Sequence, residues 1–133
     1  MVATFGRWIH IGAAWLFAAG VLLQAFLAGQ AMPQLGGTAS FEAHISFGYS
    51  VMGLLALAVL VGALVGRVGR RQVGLSIGLL FLYIVQTVLP NMRASSPVIA
   101  ALHPANAMLL LVLAIYIAVK ARRLTADRAT QGN

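Results

Sequence analysis

Four long apolar runs, separated by short polar or turn-rich stretches, dominate this chain. They cover residues 8–28, 41–66, 73–89 and 98–119. A bilayer core is crossed by about 20 apolar residues in an α-helix, so each run predicts a membrane-spanning helix, the third at the short end of the range. An α-helix satisfies its own backbone groups where no water is present. The connectors support the assignment. Residues 29–40 hold Pro33, Gly36 and Gly37 and predict a turn-rich loop. Residues 67–72 form a short basic turn, which makes the second and third helices antiparallel neighbours. Pro90 predicts the end of the third helix, and Pro97 suits the first turn of the fourth. Residues 124–133 read as a short polar tail, frayed from the last helix. The first run exceeds the usual 7–15-residue core of a cleaved leader and is expected to be retained. The predicted fold class is all-α: an integral membrane, up-down-up-down four-helix bundle, one domain over 1–123.

Composition changes the picture only by naming the solvent. Of 133 residues, 61% are hydrophobic and 8% charged, against about 25% charged in soluble domains. So few charges cannot cover a surface facing water, and lipid is the expected surrounding. The formal net charge is +7. A basic chain raises the prospect of nucleic acid, but these cations flank apolar runs, where they read as topology signals and anionic-lipid contacts. No nucleic-acid partner is expected. Cysteine is absent, which excludes disulfides, thiolate metal sites, iron–sulfur clusters and covalent c-type haem attachment.

Charge placement gives an orientation. Arg7, Arg67, Arg70, Arg71, Lys120, Arg122, Arg123 and Arg128 fall on one side of the four spans, and Arg93 on the other. The positive-inside rule then expects both termini in the cytoplasm. Helices packed in sequence order place one/three and two/four on the diagonals.

Polar residues inside spans are costly and tend to face the bundle interior. Gln24, His44, Gln86 and His103 come one from each run. At ~1.5 Å per residue, all four lie within roughly 10 Å of the outer boundary. Asn106 is one turn deeper than His103. His44 and His103 fall on the two helices expected to face each other diagonally, the arrangement that grips a haem iron from both sides. One turn deeper on the same faces stand Gly48 and Ala107, both small, leaving room for a flat ligand. Arg93, with Asn91, Ser95 and Ser96, sits where haem carboxylates would emerge. The plainer reading makes the same residues interhelical glue. His10, near the inner end of the first helix and without a partner at its depth, reads as an ordinary interfacial histidine. Glu42 reads as a helix-start acid favoured by the dipole, or as a proton-handling group beside the ligand. The tryptophans and tyrosines read as interface and packing residues.

The stretch from Gln86 to Ala107, ending Leu102-His103-Pro104-Ala105-Asn106-Ala107, resembles the close of one four-helix half of haem A synthase. The opening Phe41-Glu42-Ala43-His44 resembles that family's acid-then-histidine entry. The resemblance implies a b-type haem ligated by His44 and His103. Ile45 follows His44 where that family usually has Arg, and one half is present rather than two, so it implies haem binding rather than haem A synthesis. The same stretches, with Gln24 to Gly29, also resemble a family of small four-span bacterial membrane proteins, which implies a bacterial inner membrane. The function expected is single-electron transfer or haem handling, with quinones or respiratory proteins as partners and a homodimer as one form. A cofactor-free accessory subunit is the alternative, and a transporter part is weaker still, because buried charges and broken mid-membrane helices are missing. No nucleophile–base pair points to a catalyst.

Overall fold

The structure is a computed structural model and describes residues 1–131. Its elements are all helical, and four of its helical stretches are long and apolar enough to cross a membrane: Val2–Ala31, Glu42–Val65, Arg70–Arg93 and Pro97–Asp127. They are called the first to fourth spans. The first packs on the second and fourth, and the third packs on the second and fourth. The order around the bundle is therefore the chain order, with one/three and two/four on the diagonals.

The core lies along the axis. Phe17, Val21, Met52, Ala56, Val59, Leu79, Leu110, Ala114 and Ile117 are buried together. The outward faces carry Leu16, Leu22, Phe26, Leu54, Phe81, Leu109 and Val112, all strongly exposed. So continuous an apolar exterior is not what a monomer in water presents; against hydrocarbon it costs nothing.

The first two spans make the closest crossing. A side chain added at Gly62 would bring its Cβ to 2.6 Å from the His10 backbone nitrogen. One at Gly66 would meet the Arg7 nitrogen at 2.7 Å. Gly62 and Gly66 stand four apart on one face, the small-residue pattern that lets membrane helices touch backbone to backbone. The Arg7 side chain donates from Nε to the Gly66 carbonyl at 3.1 Å, which satisfies an acceptor left open at the helix end. The chain then reverses through Arg67 at φ 49° and Gly69 at φ 100°, and the next helix starts at Arg70. The left-handed backbone at Gly69 suits a residue without Cβ.

Pro90 lies in a 3₁₀ turn, Leu89–Arg93, after the α-helix ends at Val88. Pro97 stands in the first turn of a short helix, Pro97–Ala100. Both positions agree with the sequence reading. The ends do not. The first helix begins at Val2 rather than residue 8, and the last runs from Leu102 to Gln131. Residues 124–131 are thus helical, not a frayed tail; the remainder of that expectation, Gly132 and Asn133, lies outside the described residues. Thirty residues reach about 45 Å, well beyond a hydrocarbon core of about 30 Å. The last turns therefore stand clear of the membrane, where polar residues continue the helix at no desolvation cost.

Candidate functional site

Toward the end of the bundle opposite the chain termini, the apolar core gives way to polar side chains. His44 and His103 meet there across the diagonal, with ring centroids 6.2 Å apart and ring planes at 66°. Each ring is held by a backbone carbonyl of a neighbouring span. The Nδ1 of His44 lies 3.0 Å from the carbonyl of Gln24, and the Nδ1 of His103 lies 3.0 Å from that of Gln86. A carbonyl oxygen only accepts, so both Nδ1 atoms carry the proton and donate. Both Nε2 atoms therefore present a lone pair. The His103 Nε2 accepts from the Gln86 amide at 3.2 Å. Asn106 donates to Gln86 Oε1 at 2.7 Å and to the Leu82 carbonyl at 2.9 Å. Phe41 packs edge-on against His44 at 6.2 Å.

A break in helical regularity aims His44. The inward residues of the second span are His44, Gly48, Met52 and Ala56, spaced four apart. At 3.6 residues per turn each such step drifts by about 40°, so three steps would carry His44 roughly a third of a turn off the core face. The chain avoids this with a π-helical turn at Gly48–Met52, whose extra residue per turn absorbs the drift. The backbone groups disturbed there find a partner in Tyr83, whose hydroxyl donates to the Gly48 carbonyl at 3.0 Å and lies 3.4 Å from that of Tyr49. A Cβ at Gly48 would meet the Gln24 side-chain amide, which would have to swing aside. Ala107 is half-buried and packs against the core below.

The structure thus brings Gln24, His44, Gly48, Gln86, His103 and Asn106 together, with Ala107 just beneath. Arg93 stays exposed on the 3₁₀ turn that follows the third span's α-helix. Glu42 is exposed in the first turn of its helix. Tyr83 was missed as a structural tie; its signal was a single hydroxyl in an otherwise apolar stretch.

A second polar layer lies toward the other end. His10 is fully buried, not interfacial as the sequence suggested; its Nδ1 donates to the Val59 carbonyl at 2.8 Å. The close crossing at Gly62 draws the ring away from the headgroups and onto that carbonyl. Gln72, expected in the basic turn, is also buried; it donates to the Ile117 carbonyl at 3.4 Å, and Ser76 donates back to the Gln72 carbonyl at 2.8 Å. His10 Nε2 and Gln72 Oε1 are both buried acceptors with no donor among the described residues.

The four long apolar helices define a multi-pass helical membrane protein. The chain belongs to a family of unknown function, DUF6220, whose model matches residues 24–93. The matched segment holds Gln24, His44, Gly48, Gln86 and Arg93 and stops short of His103, Asn106 and Ala107. No curated protein and no solved structure matches the chain.

Proposed function

We propose that this protein is an integral membrane haem protein of b type, holding one non-covalent haem between His44 and His103 and passing single electrons. One observation carries the reading: two imidazoles from diagonal spans, 6.2 Å between centroids, each with Nδ1 engaged and Nε2 bearing its lone pair. Two metal–nitrogen bonds of ~2 Å plus two ring radii span a distance of this size. A backbone carbonyl on the far nitrogen is also the usual way to fix the tautomer and orientation of a ligating histidine.

The surrounding residues fit the same use. His44, His103, Gln24, Gln86 and Gly48 are all half-buried, so the layer is reachable from the bundle surface. Binding at His103 requires the Gln86 amide to turn away from Nε2 while its oxygen keeps Asn106. Arg93 and Asn91 stand on the outer turn as donors for carboxylates. A bound haem supplies a one-electron couple, tuned by axial ligands and burial. The likeness to one half of haem A synthase, on Phe41 to His44 and Gln86 to Ala107, supports the same assignment. Charge asymmetry supports both termini in the cytoplasm, and the likeness to small bacterial four-span proteins supports a bacterial inner membrane. A haem protein there would take quinones or respiratory proteins as redox partners, with a homodimer as one form.

One observation favours a second reading. The Gln86–His103–Asn106 network closes without a ligand, as expected of polar glue in a cofactor-free accessory subunit. Absorption spectra separate the two. Protein purified from haem-replete cells is expected to be red, with a Soret band that shifts on dithionite reduction. His44→Ala and His103→Ala each remove the band, and His10→Ala keeps it. A folded, colourless preparation overturns the haem reading.

A further inference from the structure

Away from the paired imidazoles, His10 and Gln72 leave two hydrogen-bond acceptors unmet in the interior. The His10 Nδ1 donates to the Val59 carbonyl at 2.8 Å, so its Nε2 carries a lone pair. The Ile117 carbonyl orients the Gln72 amide. A carbonyl oxygen only accepts, so the amide nitrogen faces Ile117 at 3.4 Å and Oε1 is turned from it. The Gln72 side chain lies beside the His10 ring, and the two residues meet across the diagonal between the first and third spans. His10, Gln72 and Ser76 are each no more than 1% exposed. Ser76 cannot supply the missing donor, because its hydroxyl hydrogen goes to the Gln72 backbone carbonyl at 2.8 Å. Neither His10 Nε2 nor Gln72 Oε1 has a partner among the described residues. A buried acceptor without a donor is destabilising, and here two such acceptors are neighbours.

We propose that one water molecule is bound at this place, donating one hydrogen to His10 Nε2 and the other to Gln72 Oε1, and so tying the first span to the third. The chemistry of the pair selects the occupant. It must present two donors, fit a closed interior and carry no charge. A metal ion or a second ring proton would add positive charge to an end that already holds Arg7, Arg70, Arg71 and Lys120, each within three residues of His10, Gln72 or Ile117 in the chain. Water adds none. Buried waters characteristically serve polar atoms that the protein itself leaves unpaired, and removing them is costly.

NMR of the purified protein in detergent, with isotope-labelled histidine, tests this. The chain has three histidines, and His10→Ala identifies the His10 signals by their loss. At neutral pH the His10 ring is expected to be neutral, with its hydrogen on Nδ1. Its Cδ2 proton, next to Nε2, is expected to show a direct cross-peak to a long-lived water. Gln72→Met keeps the length of the side chain, removes the second acceptor and should abolish that cross-peak. A hydrogen on Nε2, or no water cross-peak in the wild type, overturns the proposal, and these two readings decide it even should the variant fail to fold. A cross-peak that survives in folded Gln72→Met overturns it as well, because the water would then not need Gln72.

Discussion

A hydrogen bond at one nitrogen decides what the other nitrogen of an imidazole can do. In His44 and His103 the consequence is a lone pair on each Nε2, on rings whose centroids lie 6.2 Å apart. In His10 the same bond, to Val59, leaves Nε2 buried with no hydrogen-bond partner among the described residues. The three histidines are therefore expected to behave differently on substitution. His10→Ala loses one buried hydrogen bond, worth about 1 kcal/mol, and opens a cavity at the crossing of the first two spans. Its thermal midpoint in detergent should fall by several degrees with haem content unchanged. His44→Ala, at a half-buried position, should alter that midpoint less and abolish the Soret band. A haem content that followed His10 rather than His44 would show the roles reversed. At this scale the sequence was informative about type and depth: the four polar residues of the outer layer were legible because each interrupts an apolar run. Burial of His10 and Gln72 was not legible. It depends on how near two backbones come, which Gly62 permits but does not announce.

At the scale of the element, two departures from a regular helix do most to shape the interior. The π-turn at Gly48–Met52 restores His44 to the core face. Deletion of Ser50 removes the extra residue, and a regular α-helix then leaves His44 within about 20° of the Ala56 face. The deletion variant is expected to stay helical by circular dichroism and to keep its haem, whereas an alanine inserted after Ser50 turns His44 by about 100° and should abolish binding; full haem binding by the insertion variant would show that the register of this turn has no part in aiming the ring. Tyr83→Phe removes the hydroxyl that ties the turn to the third span and should weaken haem retention by less. The glycine crossing supplies a paired comparison. Gly62→Ala forces a methyl against the His10 backbone, whereas Gly12→Ala meets open space. The first should lower the thermal midpoint sharply. The second should hold or raise it, since Ala is the better helix former by about 1 kcal/mol. The spans themselves were legible from apolar run length. Their ends were not, because the last helix continues on polar residues once it leaves the membrane, where hydropathy no longer reports on helix formation.

At the scale of the molecule, the bundle order follows from short connectors, and it is this order that sets His44 opposite His103. The end-to-end asymmetry of charge gives a separate expectation. Because the chain has no cysteine, Thr38→Cys and Ala126→Cys provide single labels at opposite ends, both at exposed positions. A membrane-impermeant maleimide should modify Thr38→Cys in intact cells and Ala126→Cys only after permeabilisation; the reverse pattern would invert the topology. The central claim, that the paired imidazoles take one iron between them, is tested most directly by adding haem to protein prepared without it. Titration should saturate at one haem per chain and give a six-coordinate, low-spin spectrum that either histidine variant loses. Absorbance that rises without saturation, or a spectrum indifferent to His44 and His103, would contradict it.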